Sequence, residues 1–290
     1  MGESNLLHDT LPAADVLIVH GPIHPASVLV LDSPHSGRIM PADFHAALSH
    51  EDLRDGEDEY IDELYAPAAE LGIPVLAAQF PRTYIDANRH AADIDLDLLD
   101  APWPHHHEPS GKAAIGKSLL WRTLDDGRSI YSRRLSVAEV ASRIERFHQP
   151  YHRILLRLMD AAHQAHGQVV HINCHSMNAV AGAMGEGGAG TARADVVLGD
   201  RHGTTCSAEV THFVRDQLLA HGYSVKINDP FAGVELVRAY SNPAIGRHSL
   251  QLEINKRLYM DQGTGQKVPH FEVLQRQLMQ MLRAMQQHFA

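Results

Sequence analysis

The sequence predicts an α/β fold, a three-layer αβα sandwich with a functional site at one edge of its central sheet. Two observations carry this. Aliphatic and β-branched runs alternate with stretches whose apolar residues recur at helical spacing. Polar clusters then follow directly on several of the apolar runs, where open α/β sheets place their ligands. With 290 residues, 44% hydrophobic and 21% charged, the chain can bury an ordinary core without staples, and disordered or fibrous classes are excluded. No internal repeat, long linker or charge block divides it. The expectation is a single domain over 1–290, with an insertion or lid at 101–130.

The elements follow in order. Residues 27–31 read as a buried strand, bounded by Pro22 and Pro25 and running into Asp32-Ser33-Pro34-His35-Ser36-Gly37, so His35 sits just past a strand end. Residues 57–71 have apolar positions at Tyr60, Ile61, Leu64, Tyr65, Ala68 and Leu71, a helix that Gly72 ends. Strands are expected over 73–78 and, briefly, 83–85. The 101–130 stretch, with prolines, three consecutive histidines and Gly111, Gly116 and Gly127, reads as an excursion from the core. Residues 136–164 form a long helix opened by a Ser136–Glu139 capping box and bent at Pro150. A strand over 168–173 leads into Cys174-His175-Ser176, and one over 195–198 leads into Gly199-Asp200-Arg201-His202-Gly203. Thr204 or Thr205 would cap a helix to about residue 219; strands over 224–227 and 250–254 and a helix over 270–288 close the chain.

Composition narrows the partners. Net charge is −10, from 25 Lys+Arg against 35 Asp+Glu, and no basic run exceeds Arg133-Arg134, so a nucleic-acid partner is not expected. No apolar stretch approaches the roughly 18–20 residues of a membrane span. The first residues lack the basic and apolar regions of a secretory signal, and the two cysteines, Cys174 and Cys206, form no disulfide framework, so a cytoplasmic protein is the expectation. The unusual count is 22 histidines, which raises the expectation of a metal without locating one.

Two histidines have the right setting. His35 and His175 each follow an apolar run that fixes the backbone while the imidazole faces the crevice. A zinc hydrolase needs about three protein ligands and an open position, and Asp58, Glu59 and Asp62 all offer a carboxylate nearby. The plainer alternative is that both imidazoles merely hydrogen-bond loop backbone. Their company favours chemistry: Pro81-Arg82-Thr83-Tyr84-Ile85-Asp86-Ala87-Asn88-Arg89 puts two arginines and an asparagine around a short strand, with Tyr84 and Asp86 expected on the face opposite Ile85. An Arg fork beside Asn suits a carboxylate, and a second Arg suits a polarised carbonyl; an Asp86–Arg89 pair tying down the loop is the alternative. Glu253, between Leu252 and Ile254 in an apolar strand, is costly to bury unless paired or catalytic, and is the candidate general base.

Ser33-Pro34-His35-Ser36-Gly37, the Asp58–Tyr65 segment, Arg82–Arg89, Cys174-His175-Ser176, Leu198–Gly203, Asp229–Gly233 and Gln251–Glu253 with Leu258–Met260 together resemble, in this order, the N-formylglutamate amidohydrolase (deformylase) family over residues 26–285. The resemblance implies a zinc carboxypeptidase-like fold with a central mixed sheet. It implies one Zn2+, or another divalent metal, bound by His35, Asp58 and His175, with Glu253 as the base that takes a proton from water. Arg82 corresponds to the residue that stabilises the oxyanion. Asn88 and Arg89 correspond to the grip on the substrate's α-carboxylate, and Arg238, Arg247 and His248 fall in the segment that approaches the substrate. The implied partner is a small carboxylate-bearing amide, N-formyl-L-glutamate or another N-acyl acidic amino acid, cleaved to formate and amino acid. The sequence departs from the family's usual run at 237–248 and at 101–130.

Other features read more plainly. The Gly182–Gly190 stretch lacks the Gly-Lys-Ser/Thr of a phosphate loop and reads as a mobile loop near His175. His105-His106-His107 reads as solvated, and Cys174 as a small packing residue rather than a nucleophile. Rival functions are a hydrolase of a different amide or small peptide, and a non-catalytic carboxylate binder on the same scaffold.

Overall fold

The structure, a computed structural model, describes residues 13–23, 27–182 and 187–290. Residues 1–12, read above for a secretion signal, Pro25, read above as bounding the first strand, and the centre of the 182–190 glycine stretch lie outside the described residues. Seven strands form one mixed sheet in the order β1-β3-β2-β4-β7-β5-β6: β1 Leu17–His20, β2 Leu29–Ser33, β3 Val75–Ala78, β4 Val169–Met177, β5 Val196–Gly199, β6 Val225–Ile227 and β7 Arg247–Asn255. β3, β2, β4 and β7 run parallel, while β1 is antiparallel to β3 and β5 to β7. The sheet is mixed and helices cover it, the architecture the sequence predicts.

One face carries helices α1 (Ile61–Tyr65), α4 (Ala208–Ala220) and α6 (Phe271–Phe289), joined by an apolar cluster of Ile172, Cys174, Leu250, Leu252, Leu278 and Leu282. The other face packs α2 (Val137–Arg143), α3 (Gln149–His166) and α5 (Glu235–Tyr240), with the excursion contributing Leu119, Leu120, Trp121 and Ile130 to the same core. Ser136 and Glu139 form the capping box. Between α2 and α3 the chain makes a π turn, Ile144–His148, directly before Pro150. Proline has no N–H to give and its ring crowds the carbonyl four residues back, so the extra residue of the π turn absorbs the misfit.

Several sequence expectations change. The helix expected over 57–71 begins only at Ile61, because Gly56 and Tyr60 adopt φ of 75° and 63° and hold residues 56–60 in a loop; beyond Tyr65 it tightens into a 3₁₀ turn, Ala66–Leu71, at Pro67. No strand forms at 83–85: the Tyr84 N–H donates to the Pro81 carbonyl in a turn. Tyr84 is therefore not on a site-facing edge with Asp86 but buried edge-on against Phe44 and Phe147. Ser207, not Thr204 or Thr205, caps α4, because Arg201, His202 and Gly203 keep the chain turning at positive φ. β1 and α5 were not anticipated; both are short.

Among the described residues, no helix is long and apolar enough to cross a membrane.

Candidate active site

The parallel strands β2, β4 and β7 end at the same edge, and there the polar residues converge. β4 and β7 are in register, His175 opposite Glu253, Asn173 opposite Gln251 and His171 opposite Ser249. Because side chains alternate along a strand, these six share one face, toward α3. His175 lies inside β4 rather than past its end, since pairing with β7 continues to Met177.

His35 comes from the loop after β2. That loop is pinned: Gly37 sits so close to the end of β3 that a Cβ there would lie 2.4 Å from the Phe80 carbonyl oxygen, leaving room for glycine alone. The Asp58 N–H donates to the His35 carbonyl, and the Ser36 hydroxyl donates to the Asp58 carbonyl. Asp58 is thereby hung from the His35 loop. Of the three acids offered by the sequence, Asp58 alone reaches the histidines; Glu59 pairs with Lys256, and Asp62 lies on α1 with its carboxyl raised by burial.

His35, Asp58 and His175 are buried, and one ligand atom from each lies within 4.8 Å of the others. Asp58 Oδ2 is 2.9 Å from His175 Nδ1 and 3.3 Å from His35 Nδ1. The far side of each imidazole is held. His35 Nε2 donates to Asp86 Oδ1 at 2.7 Å, and His175 Nε2 donates to Asn173 Oδ1 at 2.7 Å. With protons on both Nε2 atoms, both Nδ1 atoms present lone pairs toward the same point, and His35 Nδ1 is a buried atom without a hydrogen-bond partner. Two imidazole nitrogens and a carboxylate oxygen, each imidazole backed by an acceptor, is a donor set that fits a divalent metal such as zinc.

The backing is itself backed. Asn173 Nδ2 donates to Asp32 Oδ1 at 2.8 Å, which fixes the amide so that its oxygen faces His175. Asp32, fully buried, also accepts from His171 at 2.8 Å and from the Tyr151 hydroxyl at 2.7 Å. On the other side Asp86 accepts from His35, from Arg82 Nη2 at 2.8 Å and from the Asn88 N–H at 2.9 Å. Burial opposes ionisation of Asp86, yet the charge of Arg82 and the hydrogen bond from His35 hold its carboxyl well below the usual range. Arg89 Nε approaches Asp86 only to 3.9 Å and donates instead to the Lys117 carbonyl.

Above this lies a cavity of about 500 Å³ whose lining includes His35, Asp58, Arg82, Asn88, Arg89, His175, Gln251 and Glu253. The excursion supplies one wall through Ser110, Lys112, Ile115, Lys117, Trp121 and Asp125, and the 230–234 turn another. Cations cluster there: Lys112, Lys117, Arg193 and Lys256 join the two arginines. Burial lowers the Lys117 ammonium to about 8. Glu253 accepts from Gln251 Nε2 at 2.9 Å, and Arg82, stacked 4.9 Å over Trp121, lies close enough to feel its charge.

Three sequence candidates are elsewhere. Arg247 and His248 begin β7, six and five residues before Glu253, about 20 and 16 Å away at the rise of a strand. There Arg247 pairs with Asp160, and His248 Nδ1 accepts from the Ser207 N–H. Arg238, half-exposed on α5, is paired through two hydrogen bonds with Glu235. None lines the cavity. His105, His106 and His107 are exposed, and Cys174 is buried in the apolar cluster with its thiol pushed well above its usual range by burial. The residues the sequence reading missed are Asp32, Asn173 and Gln251. For Asn173 and Gln251 the signal was present as a period-2 recurrence of polar residues, 171/173/175 and 249/251/253; Asp32 follows the apolar residues of its strand and carried no such signal.

The sequence profile of the N-formylglutamate amidohydrolase family matches residues 27–260. N-formylglutamate deformylases of Pseudomonas putida and Pseudomonas aeruginosa are 27% and 28% identical over 238 residues, covering 81% of this chain and 82% of each relative. The crystal structure of an N-formylglutamate amidohydrolase from Ralstonia eutropha superposes with a TM-score of 0.88 at 40% identity, over 95% of this chain and 98% of that one. A protein from Agrobacterium tumefaciens shares the fold, with a TM-score of 0.65 at 15% identity over 95% and 97% of the two chains.

Proposed function

The chain belongs to the N-formylglutamate amidohydrolase family, and from that premise we propose that it hydrolyses the amide bond of an N-formyl acidic amino acid, N-formyl-L-glutamate first among them, releasing formate and the amino acid. The observation that carries this reading is the convergence of His35, Asp58 and His175 with Glu253 on the wall of a cation-rich cavity. His35, Asp58 and His175 would hold a divalent ion, zinc by its donor set. When bound, such an ion lowers the pKa of water toward neutrality and draws negative charge from a carbonyl oxygen.

The remaining work falls to side chains. Asn88 and Arg89 grip the α-carboxylate and so orient the formamide, while Lys112, Lys117 and Arg193 supply positive charge for a second carboxylate. Glu253, held by Gln251, takes a proton from the attacking water and returns it to the departing amine nitrogen. Arg82 offers its guanidinium to the oxygen that becomes negative; the charge of Asp86 keeps its own pKa raised against burial, so it stays a cation. The 101–130 excursion serves as a lid-like wall, and the whole chain acts as one functional unit around this cavity.

The test is formate release from N-formyl-L-glutamate by purified protein supplied with zinc, before and after treatment with a chelator. Turnover that a chelator abolishes and zinc restores is the expected result. No formate from any member of a panel of N-formyl and N-acyl amino acids would overturn the reading in favour of a carboxylate binder.

A further inference from the structure

Two histidines that the site does not use sit one helical turn apart where the π turn meets α3. The rings of His148 and His152 stack with centroids 4.0 Å apart and planes inclined by 26°. His148 Nε2 lies 2.8 Å from the carbonyl oxygen of Arg89, and His152 Nε2 lies 2.7 Å from that of Ala87. A carbonyl only accepts, so both imidazoles carry a proton on Nε2. His152 Nδ1 is then free to accept from the Tyr240 hydroxyl at 2.6 Å, which fixes that ring from α5. Burial pushes the two imidazoles down, to about 3 for His148 and about 4 for His152, so both are neutral at neutral pH.

The carbonyls they hold are those on either side of Asn88. Asn88 is fixed by other bonds as well: its N–H donates to Asp86, and its Oδ1 accepts from the Leu236 N–H at 2.9 Å. Neither imidazole lines the cavity. Their aim depends on the π turn, because one residue more or fewer ahead of α3 would rotate this face by about 100°.

We propose that His148 and His152 are positioning residues, a pair of N–H donors that clamps the 87–89 backbone so that Asn88 and Arg89 present their side chains to the substrate's α-carboxylate. The proposal rests on the amidohydrolase reading above. It places the pair's effect on substrate grip rather than on bond cleavage, since the clamp touches the loop and not the reacting atoms.

The experiment uses His148→Gln, His148→Asn, His152→Gln and His152→Asn in the full chain. Glutamine carries an N–H to about where Nε2 lies, asparagine stops short of it, and both lose the ring stacking. Each variant is assayed on N-formyl-L-glutamate and on N-formyl-γ-aminobutyrate, which keeps the formamide and distal carboxylate but lacks the α-carboxylate. Wild-type turnover of N-formyl-L-glutamate tests the enzymatic reading by itself; its absence overturns that reading and this assignment together. Given turnover, the Asn variants should raise KM for N-formyl-L-glutamate about tenfold with kcat held within about threefold. The Gln variants should stay close to wild type, and kcat/KM for N-formyl-γ-aminobutyrate should not move. Equal losses on both substrates, or Gln and Asn variants behaving alike, would overturn the clamp while leaving the enzymatic reading intact. If the Asn variants fail to fold, Tyr240→Phe carries the test: KM for N-formyl-L-glutamate up about threefold at constant kcat supports the clamp, and an unchanged KM overturns it.

Discussion

Along β4 and β7, alternate residues face two interiors of opposite chemistry at equal burial. Ile172, Cys174, Leu250, Leu252 and Ile254 point to α4 and α6 and make an apolar layer. His171, Asn173, His175, Ser249, Gln251 and Glu253 point to α3 and are as thoroughly buried. The apolar layer is held by area removed from water, a force without direction. On the polar layer the bonds are directional: Asp32 orients Asn173, Asn173 orients His175, and Gln251 holds Glu253. One face supplies stability, and the other spends some of it to fix orientation.

Substitutions on the two faces should therefore separate turnover from stability. The largest effect is expected for Glu253→Gln, which should lower kcat/KM for formate release by about 10²–10⁴ with metal content and melting temperature unchanged; retained turnover would remove Glu253 as the base. One residue away on the opposite face, Leu252→Ala should cost about 2–5 kcal/mol in urea unfolding while turnover per folded molecule persists.

Asp32→Asn probes the polar layer two hydrogen bonds from the candidate metal ligands. Without a carboxylate to orient it, Asn173 can turn its NH₂ toward His175, and zinc affinity should fall about 10–100-fold by metal titration. The same substitution has a pH signature. Burial raises the Asp32 carboxyl, but His171, Asn173 and Tyr151 more than offset this and hold it below the ordinary value. A carboxyl depressed in the folded state adds stability above its unfolded pKa of about 4 and loses it as pH falls toward the folded value. Stability of Asp32→Asn should accordingly fall less steeply than wild type below about pH 4. The smallest effect is expected for Arg247→Ala: KM should stay within about twofold of wild type, because the residue pairs with Asp160 at the far end of β7. A tenfold rise would restore it as a substrate contact.

Much of the candidate site was legible because it rests on local signals. The Ser-Pro-His-Ser-Gly loop, the Arg82–Arg89 segment and the lone Glu253 in an apolar strand all mark themselves in sequence. Choosing Asp58 over Glu59 and Asp62 was not a local matter, since it depends on how far the helix start is delayed by Gly56 and Tyr60. Arg247 and His248 entered through the family resemblance, and in the structure six and five residues of extended strand separate them from Glu253. The alternation 171/173/175 and 249/251/253 was visible throughout but carries meaning only when the two strands are known to pair in register.

The sequence alone determined the layered α/β architecture, the capping box at Ser136 and the motifs that bear the candidate ligands, because periodicity, caps and turn chemistry act within a few residues along the chain. Tertiary structure alone decided which carboxylate meets two imidazoles, which cations face the cavity, and that His148 and His152 reach the 87–89 loop. Those outcomes depend on strand order, register and helix rotation, and these are set by burying the whole core at once rather than by any segment taken singly.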